Sequence, residues 1–126
     1  MDEEKLKIAA KLPNHIYDYL PFALPYQTVY QSEGLSKHIE KRHLHCLPYM
    51  ERIPEIITHP DYIGINPNET VISFELVKTF DDNVQIGIKL DSKNDYLYVA
   101  TLHDITQSKL QKRITNGRLK NIDKPE

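Results

Sequence analysis

Histidines and cations are concentrated between residues 34 and 46, where the sequence is GLSKHIEKRHLHC. On a helix of about 3.6 residues per turn, His38 and Arg42 share one face. His43 follows His38 by five positions, roughly 140° round the axis, so both imidazoles can enter one site only if the helix ends between them. Imidazoles exchange protons near neutral pH, and cations bind phosphate. The stretch therefore predicts acid-base chemistry at one of these two histidines, with packing or a surface role as the alternative.

The chain carries a formal net charge of −2, which argues against a protein-wide basic field for binding nucleic acid. Basic residues are nevertheless enriched after position 105. They are Lys109, Lys112, Arg113, Arg118, Lys120 and Lys124. Lys37, Lys41 and Arg42 form a second basic segment beside the histidines. If the two segments meet in the fold they create a local anion site, and if they do not they are solvated helix faces.

Several classes of protein are disfavoured by what the sequence contains. The single cysteine, Cys46, forbids an internal disulfide framework and fits a reducing compartment. No apolar run is long enough to cross a membrane, and the acidic N-terminus does not resemble a signal peptide, so we expect a cytoplasmic protein without membrane contact. His43 and His45 lack the spacing of helical zinc ligands, and there is no glycine-rich phosphate loop. We therefore predict neither a metal site nor a cofactor.

The 126 residues predict a single domain of the α+β class. A weakly amphipathic helix over residues 2–12 is followed by a connector that is rich in proline and aromatic residues. The predicted elements after the connector are a strand over 26–32, the histidine helix over 34–46, a helical piece over 48–59, alternating strands over 71–77, 84–90 and 96–103, and a last helix over 107–116. Short turns between the alternating strands indicate an antiparallel meander.

One face of this sheet is expected to be open. If Val84, Ile86, Ile88 and Leu90 pack on the helices, Gln85, Gly87 and Lys89 point the other way. The strand over 96–103 is ambiguous. It exposes either Tyr96 with Tyr98 or Thr101 with His103 on the open face, and a β-bulge would allow a mixture. Because His103 adjoins an aspartate, a capping or surface role is the interpretation for it.

Five segments together resemble a family of phage-associated and mobile-element-associated RNases related to barnase, EndoU, colicins and RelE, which share the BECR fold. The segments are GLSKHIEKRH, PEIITHPDYIG, IGIKLD, YLYVATLHDI and KLQKRITNGRLK, and they span about residues 30–120. The resemblance implies N-terminal helices packed on one face of a four-stranded antiparallel sheet, with a C-terminal helix. It also implies metal-independent RNA cleavage that yields a 2′,3′-cyclic phosphate. The domain then divides into an N-terminal helix and connector (1–25), a nuclease-like core (26–120) and a tail (121–126).

The resemblance also assigns roles to individual residues. It implies His38 as general base or acid with His43 as the alternative, Lys89 as a phosphate contact, Thr101 as phosphate positioner and Arg113 as a clamp on the transition state. The substrate-binding set comprises Lys37, Arg42, Tyr98 and Arg118.

The resulting prediction is a small endoribonuclease that acts on tRNA or mRNA as a phage effector or toxin. A cognate antitoxin or immunity protein is its expected partner. The alternative is a non-catalytic module that holds RNA or a protein in the same basic groove. Histidine substitutions separate the two, because they abolish cleavage in the first and hardly matter in the second.

Overall fold

The structure is a computed structural model that describes residues 6–122. Its strands are β1 (Leu6–Lys11), β2 (Thr28–Ser32), β3 (Tyr62–Gly64), β4 (Ser73–Thr79), β5 (Asn83–Asp91), β6 (Tyr96–Ile105) and β7 (Leu119–Asn121). Its α-helices are α1 (Gly34–Arg42), α2 (Ile53–Thr58) and α3 (Gln107–Thr115), and 3-10 helices cover Asn14–Tyr19 and Leu44–Arg52. Within this part of the chain, no helix is both long enough and apolar enough to cross a membrane.

All seven strands form one mixed sheet in the order β1-β2-β6-β5-β4-β3-β7. Neighbouring strands are antiparallel except β2 and β6, which run parallel. The predicted four-stranded antiparallel sheet under N-terminal helices is therefore wrong. The chain does combine helices with strands, and the predicted C-terminal helix is present as α3.

The start of the described chain shows why the predicted N-terminal helix is wrong. Residues 6–11 form β1, which pairs antiparallel with β2. A short amphipathic segment gains little from helix formation alone, whereas pairing with a neighbouring strand satisfies its backbone groups. The first part of that predicted helix, residues 2–5, lies outside the described residues.

Two strands of three residues, β3 and β7, complete the other edge of the sheet and are absent from the predicted elements. They pair with each other so closely that a Cβ at Gly64 would overlap the carbonyl oxygen of Arg118. The Ile122 amide then donates to the Asp61 carbonyl, and the Ile122 side chain is buried. The predicted tail over 121–126 thus begins inside the fold, while residues 123–126 are outside the described part.

The histidine helix is shorter than predicted. It ends at Arg42, where His43 leaves helical geometry (φ −143°, ψ 55°) while its amide still donates to the Ile39 carbonyl at 2.7 Å. The chain then continues as the 3-10 helix Leu44–Arg52. Because the helix ends between His38 and His43, the two imidazoles are free of the angular relation that a continuous helix would impose.

The sheet has one covered face and one open face. The covered face packs on α1, α2 and the 3-10 helices, and its fully buried side chains include Phe74, Leu76, Ile86, Ile88 and Leu97. Helix α3 closes part of the opposite face through a smaller cluster of Val77, Ile105, Leu110 and Leu119. The rest of that opposite face, which carries the odd-numbered residues of β4 and β5, is called the open face below.

A β-bulge in β6 decides which side chains reach the open face. Gly87 of β5 pairs with Thr101, but the next residue, Ile88, pairs with Val99, so Ala100 is the extra residue. Leu97 and Val99 before the bulge, and Leu102 after it, all enter the main core. The opposite set, Tyr96, Tyr98, Thr101 and His103, shares the open face. The structure thus has the mixture that a bulge was predicted to allow.

Candidate active site

A cleft of about 340 Å³ lies on the open face, between the central strands and the segment from α3 to β7. Most side chains that line it are polar or charged. They are Asn66, Asn68, Glu69, Ser73, Phe74, Glu75, Gln85, Gly87, Ile88, Lys89, Thr101, His103, Arg113 and Arg118. Strand alternation places the β4, β5 and β6 members side by side, and α3 and the turn after it deliver the two arginines.

A buried carboxylate organises the arginine side of the cleft. Glu75 is only 5% exposed, and its Oε1 accepts a hydrogen bond from Arg118 Nη2. Its Oε2 lies 3.9 Å from Arg113 Nη1, which donates to Gln85 Oε1 at 2.7 Å. Burial lowers the pKa of Arg113, and the charge of Arg118 lowers it further. Two guanidinium groups share one carboxylate, so this corner of the cleft keeps a net positive charge that an anion can neutralise.

His103 forms the opposite wall of the cleft and is held in one tautomer. Its Nδ1 donates to the Asp104 carbonyl oxygen at 3.2 Å, because a carbonyl can only accept. Its Nε2 faces Gln85 Nε2 at 3.4 Å, so the amide is the donor there. Burial lowers the pKa of His103, and the nearby His43 and Arg113 lower it further. The imidazole is therefore neutral at pH 7, and its Nε2 lone pair accepts from the amide of Gln85, which also lines the cleft.

His43 lies beside His103 at the end of α1. The two rings are 5.6 Å apart between centroids and inclined by 36°. Strand β2 pairs with β6 only at residues 97 and 98, so the later part of β6 has α1 rather than a strand beside it. His43, at the end of α1, therefore lies next to His103, which lines the cleft.

Lys89 and Thr101 complete the floor of the cleft. Lys89 Nζ is 3.1 Å from Glu69 Oε2 in a partly exposed ion pair. Thr101 stands opposite Gly87, where a Cβ would come within 2.7 Å of the threonine hydroxyl oxygen. The missing side chain at Gly87 thus leaves room for the hydroxyl next to the basic groups.

Comparison with known proteins gives one match. Residues 7–112 match the family model described as phage-Barnase-EndoU-ColicinE5/D-RelE like nuclease 3. The chain belongs to this nuclease family. The matched range begins before the predicted resemblance does, so it includes β1 and the connector. No curated protein and no solved structure matches the chain.

In this nuclease, the predicted site residues separate into three groups. Lys89, Thr101, Arg113 and Arg118 line the cleft, and His43 lies against its wall. His38 and Tyr98 instead line a neighbouring groove next to the cleft, with Tyr96 and Leu6. Lys37 and Arg42 are exposed on α1 and are not among the residues that line the cleft.

Among the cleft residues that are absent from the predicted site, Glu75, Gln85 and His103 take part in its hydrogen bonds. Glu75 and Gln85 sit at the polar positions of alternating strands, so the pattern of the sequence placed them on the open face without indicating a role. His103 has a predicted capping or surface role, yet it lies half-buried in the wall of the cleft. The signal that would have identified His103 as a cleft residue is the pairing of β5 with β6, which places His103 opposite Gln85.

A cluster of His45, Cys46 and Asp104 lies beyond His103, with ligand atoms within 4.8 Å of one another. His45 Nε2 is 2.7 Å from Asp104 Oδ1, and the Cys46 thiol donates to the same oxygen at 3.5 Å. The bond with His45 lowers the pKa of Asp104, and burial raises that of Cys46 to about 11. The thiol is therefore protonated, and hydrogen bonds account for the contacts in the cluster.

Proposed function

We propose that this nuclease is an endoribonuclease that cleaves RNA without a metal ion, through attack of a ribose 2′-OH on the adjacent phosphate. The observation that carries the proposal is the neutral, oriented His103 in a cleft that also holds two arginines, with a second histidine beside it. A general base and cations near the developing phosphorane charge are what this reaction requires.

In the proposed first step, the 2′-OH replaces the Gln85 amide as the donor to His103 Nε2, and Nε2 accepts its proton. The 2′-oxygen then bonds to phosphorus, and the bond from phosphorus to the leaving 5′-oxygen breaks. His43, 5.6 Å away between ring centroids, supplies the proton that the 5′-oxygen needs. The products are a 2′,3′-cyclic phosphate and a 5′-hydroxyl. Glu75 is not the proposed base, because its Oε2 is enclosed and both of its oxygens face arginines.

The arginines are proposed to bind the phosphate. Among residues 6–122, the buried Arg118 Nε and Glu75 Oε2 have no hydrogen-bond partner. Arg118 Nε is enclosed like Glu75 Oε2, but both arginine side chains line the cleft and stay partly exposed, at 21% for Arg118 and 14% for Arg113, so a phosphate can bind the guanidinium nitrogens that face the cleft. Arg113 and Arg118 would then bear the charge that develops on the non-bridging oxygens, while Glu75 fixes their positions. Lys89 and Thr101 would hold the neighbouring part of the backbone.

The proposal is tested by incubating the purified protein with total RNA in EDTA and probing the products for cyclic phosphate ends. We expect cleavage in EDTA with cyclic ends. His103→Ala should reduce the rate by about 10²- to 10⁴-fold, the usual contribution of a general base. His59→Ala is the matched control, because His59 is exposed and its ring bonds only to Thr58 among the described residues. Cleavage that stops in EDTA, or that His103→Ala leaves intact, would refute the mechanism.

The biological role of an effector or toxin is part of the same proposal, supported by the phage-related family. Production of the wild-type chain in a bacterial host is expected to arrest growth, and the His103→Ala variant is expected to be harmless at equal abundance. A cognate antitoxin or immunity protein would then have to cover the cleft. Equal growth with both variants would argue against the toxin role while leaving the nuclease activity to be judged by the cleavage assay.

A further inference from the structure

The open face continues beyond the cleft as a row of aromatic rings. Lys89, at the edge of the cleft, pairs with Tyr98 across β5 and β6, and Tyr98 pairs with Tyr30 across β6 and β2. Neighbouring strands are about 4.8 Å apart, so two strand spacings separate Lys89 from Tyr30. Tyr96 lies on the same face of β6, two residues before Tyr98. These three tyrosines, Tyr30, Tyr96 and Tyr98, are called the tyrosine row.

The rings of the tyrosine row do not lie flat on one another. Tyr30 and Tyr96 meet edge to face, with centroids 5.9 Å apart and planes at 85°. Tyr96 and Tyr98 are also 5.9 Å apart, at 56°. Each of the three residues is half-buried. An edge-to-face contact covers a face of only one of the two rings, so the ring that contributes its edge keeps its faces for a ligand.

A groove of about 330 Å³ adjoins these rings, lined by Tyr96 and Tyr98 together with Leu6, Ser32 and His38. Its volume is at the lower end of the range for small-ligand sites. The rings, an imidazole and an aliphatic side chain suit a flat heterocycle with polar edges. The adjoining cleft supplies the cations that a phosphate backbone requires.

We infer that the tyrosine row stacks unpaired bases that flank the scissile phosphate, so that the substrate class is single-stranded RNA. The inference rests on the proposed ribonuclease function and extends it. Bases of a duplex are stacked on one another and cannot turn their faces to the rings, whereas bases of a single strand can. The sugar-phosphate backbone of the RNA would lie over Lys89, Arg113 and Arg118, and its bases would turn toward Tyr98 and Tyr96.

The chain contains no tryptophan, which allows a direct test. A Tyr98→Trp variant places one reporter in the row and keeps an aromatic face, and Tyr49→Trp places one on the far 3-10 helix, where Tyr49 stacks on Phe80. The probe is an uncleavable 2′-O-methyl octanucleotide, single-stranded or annealed to its complement. We expect the single strand to quench the Tyr98→Trp emission and the duplex to leave it unchanged. The Tyr49→Trp emission should not respond to either.

Affinity gives the second measurement. Tyr98→Leu keeps an apolar side chain but removes the flat ring, and we expect the single strand to bind about 5- to 150-fold more weakly, the effect of one lost base stack. Tyr98→Phe should bind like the wild type, and thermal melting confirms that both variants fold. Unchanged affinity in Tyr98→Leu, or equal binding of duplex and single strand, would overturn the inference. The tyrosine row would then be interpreted as a contact surface for a protein.

Failure of the inference and failure of the proposed function are distinguishable, because the probe cannot be cleaved. Quenching by the single strand without any cleavage of total RNA supports the base-stacking row and refutes the ribonuclease proposal. Cleavage of total RNA by a protein whose Tyr98→Leu variant binds the probe normally supports the ribonuclease and refutes the row.

Discussion

At the scale of single residues, the ionisation of His103 controls the proposed reaction. A histidine accepts a proton from the 2′-OH only in its neutral form, and burial, His43 and Arg113 lower the pKa of His103 below the ordinary value of 6.5. On the acidic side of the profile, the rate should therefore fall when the pH drops below this lowered pKa. We expect the acidic limb of kcat/KM to have its midpoint below pH 6.5, measured on a short RNA in EDTA. A midpoint at or above 6.5 would contradict the assignment of His103 as the base.

Glu75 offers a second test at the same scale, because it acts through other groups. Its negative charge raises the pKa of His103, so Glu75→Gln should move the acidic limb to still lower pH. The kcat of the variant should also fall by about 10²- to 10³-fold, because Arg113 and Arg118 would lose the carboxylate that positions them. This is the usual effect of losing one donor that stabilises the transition state. Arg113→Gln should move the limb in the opposite direction. Loss of the acidic limb in Glu75→Gln would instead identify Glu75 as the base.

At the scale of elements, the pairing of β3 with β7 holds Arg118 in the cleft. Gly64 leaves no room for a side chain, because a Cβ there would overlap the Arg118 carbonyl oxygen. We expect Gly64→Ala to destabilise the fold by about 1–3 kcal/mol, the typical effect of overpacking, and to weaken phosphate binding by shifting Arg118. Urea denaturation and phosphate titration measure the two effects.

Gly87→Ala is the matched control for the stability part of this prediction. Its added Cβ would meet only the hydroxyl of Thr101, which can rotate, so its effect on stability should be smaller. If Gly64→Ala is as stable as the wild type and binds phosphate equally well, then β7 does not position Arg118.

The elements also show what the sequence could and could not predict. The long alternating strands of the meander and the C-terminal helix follow from periodicity, and the Thr106 side chain caps that helix by accepting from the Lys109 amide. Strands β3 and β7 have three residues each, too few to show a periodic pattern of apolar residues. Residues 6–11 form a strand because they pair with β2. Alternation alone places Lys89 on the open face, where it lines the cleft. The roles of Glu75 and His103 depend on long-range pairing, which single-sequence patterns do not specify.

At the scale of the whole molecule, the net charge of −2 restricts how RNA can be bound. Non-specific affinity comes from phosphate contacts, and log K falls with log salt by about 0.7 per contact for a single strand. The cleft offers three cations, Lys89, Arg113 and Arg118; the arginines share the charge of Glu75, and Lys89 is paired with Glu69. We therefore expect a shallow slope of about −2 for the uncleavable octanucleotide.

Substitution of single lysines tests this charge argument. Lys89→Ala should reduce the magnitude of the salt slope by about 0.7, because one phosphate contact is lost. Lys7→Ala is the control, since Lys7 is exposed on the edge strand and its partner Gln31 lies on the covered side of the sheet. A slope steeper than about −5 would mean that the exposed cations of α1 and α3 also bind the backbone, and the RNA would then follow a path wider than the cleft and the tyrosine row.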